Sequence, residues 1–220
     1  MSAPLVKGAL VEYADDFLGP LPNVVVFQFN PETVNRTMVM PQRPVGAGSR
    51  EQNQAGDLPI EKFDLTLQLN ADDPLLATLT QAVGLGPQLA ALQMMVQPKT
   101  PSFGPPAILD PIGSLISASG LNPVQGVPRE TFPRILFIWG QTRILPVLIE
   151  SMSIVEKQYD AQLNPTLADV TLSMSVLIPD DCSTDMVAAG AIAYTEGAKE
   201  ALAAANLAFS VTQANDLIRF

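Results

Sequence analysis

From Phe63 to Asn70 the chain alternates between two kinds of residue. Phe63, Leu65, Leu67 and Leu69 are apolar, while Asp64, Thr66, Gln68 and Asn70 between them are polar. A period of two sends successive side chains to opposite faces of a strand, so Ile60 to Asn70 reads as a half-buried strand. Thr166 to Ile178 repeats the pattern, with Leu167, Val170, Leu172, Met174, Val176 and Ile178 set against Asp169, Thr171, Ser173 and Ser175. Ile135 to Trp139, a turn at Gly140-Gln141 and Thr142 to Tyr159 predict a hairpin, with Pro146 marking an edge or a bulge in its long second strand. Asn23 to Asn30 is a β-branched and aromatic run closed by Pro31, which has no N–H to continue a ladder. Leu5 to Tyr13 predicts an opening strand, and Thr33 to Met40 alternates weakly enough to be a further one.

The segments between these strands differ in kind. Pro41 to Pro59 is polar, contains Gly and Pro and has no period, which predicts a mobile loop. Asp73 can cap a helix that has Pro74 at its first position, carries Leu75, Leu76 and Leu79 at helical spacing and ends at Gly84. Between Gly86 and Pro128 eight prolines interrupt apolar pieces such as Leu89 to Val96, so this stretch reads as an insertion that lies against another surface. From Thr184 onward the chain is rich in Ala and free of proline, which predicts helix weakened at Gly190 and Gly197. The fold class is mainly β with flanking helices (α+β). One β domain spans residues 1–182, with the Pro-rich insertion at 86–128, and a helical extension spans 183–220.

Composition narrows the function. Of 220 residues 47% are hydrophobic, ample for a core, whereas only 15% are charged. An average soluble domain carries about 25% charged residues, so this surface is poor in charge and suited to protein partners. A net charge of −10 without any Lys/Arg cluster argues against nucleic acid and anionic lipid, because both demand cations. Cys182 is the only cysteine, so an intramolecular disulfide is impossible and a reducing compartment suits the chain. Met1 to Glu12 has no basic stretch followed by an apolar run, and no segment has the uninterrupted apolar length of a membrane span. The expectation is a soluble chain without a classical export signal.

Candidate chemistry is sparse. The chain has no histidine, which removes Ser/His/Asp and Cys/His triads and most zinc sites. Cys182 has Asp180, Asp181 and Asp185 as neighbours, which disfavour a thiolate, so it reads as a structural thiol. The pairs Asp15/Asp16, Asp72/Asp73 and Asp180/Asp181 flank predicted turns and helix starts, where Asp bonds its own backbone. Gly84-Leu85-Gly86 lacks the rest of a phosphate loop, and Met94-Met95 has no other soft ligand beside it. Phe27, Phe29 and Trp139 suit core or subunit contacts better than a stacking platform for a sugar or a base. No catalytic, cofactor or metal residue is expected.

Two stretches carry a resemblance. Val24-Val25-Val26-Phe27-Gln28-Phe29-Asn30-Pro31-Glu32 is similar to an opening element of the tube and hub proteins of contractile injection systems, the phage-tail-like particles of bacteria. Pro133 to Gly140, then Ile149 to Ile154, Tyr159 and Ala168 to Leu172, resemble the same family in order and spacing. The resemblance covers most of residues 5–178 outside the insertion, with Phe27, Phe29, Asn30, Pro31, Trp139 and Gly140 as its signature for core and assembly. It implies a β-sandwich or barrel of which six copies join their sheets into a ring around a channel. It also implies a non-enzymatic structural subunit, a baseplate-proximal inner-tube or hub adaptor that joins the tube to the spike and baseplate. Such a protein assembles in the bacterial cytoplasm and then forms part of a phage-like particle. The insertion and the helical tail depart from a simple tube protein, and the tail does not resemble the peptidoglycan-binding-like module of many hub members. A principal inner-tube subunit, a cell-wall or carbohydrate-binding module using the aromatics and a cryptic hydrolase are the alternatives, in that order.

Overall fold

The alternating segments all become strands, and a single sheet collects them. The computed structural model describes residues 6–13, 23–41, 58–72, 83–98, 131–179 and 183–217. Within these residues lie β1 (Ala9–Tyr13), β2 (Val24–Val26), β3 (Val34–Val39), β4 (Ile60–Asn70), α1 (Gly86–Val96), β5 (Arg134–Ile138), β6 (Ile144–Tyr159), β7 (Pro165–Val176) and α2 (Met186–Leu217). The strand order is β2-β1-β5-β6-β7-β4-β3, and every ladder is antiparallel. The fold is therefore mainly β with flanking helices. Among the described residues no helix is long and apolar enough to cross a membrane.

One face of the sheet is predominantly apolar. Phe63, Leu65, Leu67 and Leu69 of β4, with Ala168, Val170, Leu172 and Met174 of β7, are buried in one cluster with Ile135 and Phe137 of β5. The intervening residues form the opposite face, where Thr66 bonds Thr171, Lys62 pairs with Glu150, and Lys157 pairs with Asp169. Exposed pairs of this kind add little stability, so they decide which face stays wet more than whether the sheet forms.

The apolar face is enclosed by rolling the sheet. The segment after β2 crosses from one end of the strand order toward the other and is pinned by two side-chain amides. Asn30 accepts from Gly8 N at 3.0 Å and donates to Val6 O at 2.9 Å. Gln28 donates to Asn70 O at 2.8 Å and accepts from Asn70 N. A carboxamide carries a donor and an acceptor, as a peptide group does, so each stands in for one rung of a ladder.

This corrects the expected strand over Asn23 to Asn30. Only Val24–Val26 is strand, Phe27 N adds one bond to Gly8 O, and Gln28 to Asn30 leave the ladder because their amides bond elsewhere. The predicted interruption of β6 also moves: Pro146 sits within the ladder, and the register shifts between Ile149 and Ser151. Pro146 is tolerated because its O accepts from Leu177, just past the end of β7, so its missing N–H falls where that ladder stops.

The insertion expected over 86–128 begins differently. Its first eleven residues are α1, whose Leu89, Leu92 and Met95 lie in the main core. Apolar spacing of three outweighed the prolines there, and Pro87 sits in the first turn, where its missing N–H costs nothing. Gly84 positions this helix, with φ +58 and Leu85 N bonded to Pro165 O at 2.8 Å; a Cβ on Gly84 would lie 2.4 Å from that oxygen. The rest of the insertion, the helix expected between Asp73 and Gly84, most of the loop over 41–59, Asp15/Asp16, Asp180/Asp181 and Cys182 lie outside the described residues.

The Ala-rich tail is helix as expected, capped by Asp185, whose Oδ1 accepts from Ala188 N at 2.9 Å. Gly190 and Gly197 do not break it. Its first half lies on the sheet. Ala191 packs with Tyr13 and Leu136, and the buried Thr195 hydroxyl bonds both N and O of Ile144. From Lys199 to Leu207 every residue is exposed.

Since α1 fills the core, Leu92→Ala should cost about 2 to 5 kcal/mol through lost burial and the cavity left behind. Thermal melts check this, and an unchanged melting temperature would place α1 outside the cooperative core.

Candidate functional site

The signature residues divide into two groups. Phe27 is fully buried and meets Phe137 and Trp139 at ring-centroid distances of 6.4 and 6.3 Å, and Phe63 completes the row at 5.4 Å from Phe137. Trp139 is half-buried, stacked on Phe137 at 6.0 Å, and its N bonds Arg143 O across the hairpin turn, where Gly140 takes φ +71. Gly8 makes this close approach possible, because a Cβ there would come within 2.6 Å of Phe27 and 2.8 Å of Trp139. Asn30 joins this group through its bonds to Gly8 N and Val6 O. Phe29 does not: it is 56% exposed, so its apolar ring serves no core. Pro31 is half-buried and Gly140 lies on the surface of the turn.

A second constellation is ionic. Glu61 occupies an inward position of β4, in phase with Phe63 and Leu65, and its side chain is only 11% exposed. One carboxylate oxygen accepts from Arg36 Nε of β3, and the other accepts from Lys199 Nζ of α2 at 3.2 Å. Burial alone would push the Glu61 carboxyl up, but the bonds and charges of Arg36 and Lys199 outweigh it and hold the group below the usual glutamate value. Beside this cluster a cavity of about 220 Å³ separates β3 from α2, with Met38, Leu145, Val176 and Ile192 among its apolar walls. Sequence reasoning missed the cluster, since Lys199 lies 138 positions from Glu61 and Arg36 lies 25 from it on the other side. A signal was present: Glu61 is a charge on the apolar phase of β4.

The third feature is backbone. Among the described residues β3 pairs with β4 alone, leaving its other margin without a strand. That margin has no proline or bulge, its only charge is Arg36, and Met38, Val39 and Met40 are exposed beside it. Such an edge invites pairing with another chain. Among the described residues β6 has a second open margin: its ladder with β5 stops at Val147 while its ladder with β7 runs on to Tyr159. Among the described residues no group of three His, Cys, Asp or Glu side chains is placed to hold a metal ion. No protein-family model matches the chain, and no curated protein matches it.

Trp139→Ala should lower the melting temperature, toward the lower end of the ~3 to 5 kcal/mol typical of a truncated buried aromatic, since the ring is half-buried. Binding of soluble cell-wall glycans should show no dependence on the indole; loss of glycan binding with an unchanged melt would make it a stacking platform.

Because the folded Glu61 value is depressed, the stability it contributes is fully present above the ordinary glutamate range, about pH 4.3, and is lost as pH falls through the lower folded value. Glu61→Gln should therefore be less stable than wild type at neutral pH, with the gap closing in acid. Denaturant titrations at both pH values check it, and a pH-independent gap would remove the ionic cause.

Proposed function

We propose that the chain is a structural subunit of a contractile injection particle, a baseplate-proximal inner-tube or hub adaptor that forms a six-fold ring and joins the tube to the spike and baseplate. The observation that carries this reading is the pair of unlike open margins on one sheet. Strands β6, β7, β4 and β3 alternate in direction, so a copy placed beside β3 with the same orientation presents a β6 that runs antiparallel to it. Joining two different margins head to tail gives a heterologous contact, which closes into a ring or extends into a filament. Closure removes both edges at once.

Three further features support the reading. The signature stretches resemble the family at Phe27 to Pro31 and at Trp139-Gly140. The outer face of β4, β6 and β7 carries hydroxyls and paired charges, which suits a water-filled channel. Helix α2 runs on from Lys199 to Leu217, about 27 Å at 1.5 Å per residue, and its exposed stretch from Glu200 to Leu207 offers a surface to a neighbouring ring or baseplate component.

Native mass measurement of the purified chain, alone and with the tube protein of its particle, tests the reading. Six-fold rings are expected, present as one ring per particle for an adaptor and as many for a principal tube subunit. A stable monodisperse monomer under both conditions would overturn ring assembly.

A further inference from the structure

We propose that the open margin of β3 is completed by the Met152 to Tyr159 margin of β6 from a second copy of this chain, in the register that sets Arg36 opposite Glu156 and Met38 opposite Ile154. This rests on the ring reading above and names its strands, its register and the side chains that select it.

Strand direction and face narrow the choice first. β6 of a copy in the same orientation runs antiparallel to β3, so rising numbers on one strand meet falling numbers on the other. Arg36 and Met38 lie opposite Phe63 and Glu61 and so project to the apolar side of the sheet. Met152, Ile154 and Glu156 lie opposite Leu172, Val170 and Ala168 and project to that same side. A slip of one residue would turn one strand's side chains to the wrong face, so only registers two residues apart compete.

Charge decides among those. With Arg36 opposite Glu156, Met38 meets Ile154 and Met40 meets Met152, so opposite charges face each other and apolar side chains meet apolar ones. A shift of two in one direction sets Arg36 against Ile154. In the other direction it sets Met38 against Glu156, leaving a carboxylate on an apolar neighbour. Opposite cross-strand charges stabilise and mismatches do not.

Arg36 and the cavity both have room for the second copy. Arg36 spends its Nε on Glu61, and its terminal nitrogens have no partner among the described residues. A guanidinium has five N–H donors, so a second carboxylate completes it. Glu156 is exposed, and its carboxylate has lone pairs for the guanidinium. The cavity of about 220 Å³ beside Met38 gives the facing Ile154 an apolar socket between β3 and α2. The margin and its adjoining socket then close in one step.

The test is a cysteine pair in the full chain carrying Cys182→Ser. Within one chain β3 and β6 are three strand spacings apart, about 14 Å, far beyond the ~7 Å Cα limit of a disulfide. Any bond between Met38→Cys and Ile154→Cys therefore joins two copies. A ladder of disulfide-linked oligomers is expected, with the pair Met38→Cys and Met152→Cys linking about tenfold more slowly because its atoms lie on a diagonal. In chains without added cysteines, Glu156→Arg should weaken assembly at least about tenfold, while the monomer's melting temperature stays put because Glu156 is exposed. Rings by native mass in which the first pair does not link, or the second links as fast, overturn the register and leave the ring reading standing. Undiminished assembly of Glu156→Arg does the same. A chain that stays monomeric throughout overturns both.

Discussion

Everything in this fold depends on how a seven-stranded sheet with one apolar face hides that face. An open sheet of this width would leave Phe63, Leu65, Leu67 and Leu69 in water, at a cost of about 1.5 to 3 kcal/mol for each large side chain. Rolling solves this, but the sheet's two ends do not meet in a ladder. Gln28 reaches across to Asn70 at the end of β4, Asn30 pins the same short segment to Val6 and Gly8 beside β1, and Phe27, carried by that segment, plugs the interior against Phe137 and Trp139. The segment thus closes the roll and fills it at once. Removing either amide would leave a part-buried backbone group, Asn70 N and O or Gly8 N, without that partner, which costs more than the bond itself contributes.

The roll also sets what remains outside. Helix α1 enters the apolar side through Leu89, Leu92 and Met95, while α2 lies across β5 and β6 through Ala191 and Thr195. Glu61 ties this second helix to β4 and β3 by holding Lys199 and Arg36 together. A buried carboxylate with two cations is costly to assemble but costlier to break, so such a cluster favours one arrangement over near alternatives more than it adds stability. It also engages Arg36, the single charge of β3, through Nε, while Met38 and Val39 stay exposed beside that strand's outer margin.

Much of this was legible in the chain itself. The alternation in β4 and β7, the β5–β6 hairpin and the proline-free tail announced their elements, because periodicity of side chains and local turn chemistry are short-range properties. The packing of Phe27 and Trp139 was legible too, since aromatics at strand spacing suit a core, whereas the bonds of the Asn30 amide were not. Tertiary structure decided what those residues touch. It ended β2 at Val26, placed Phe29 in water and drew α1 into the core, since each outcome turns on a partner many positions away, Gly8, Asn70 or the interior of the sheet. It also made Glu61, an apparent flaw in an apolar phase, the meeting point of three elements. A sequence shows which side chains must find a partner; only the rolled sheet brings Arg36, Glu61 and Lys199 within reach of one another, because contact depends on the closure of the chain and not on spacing along it.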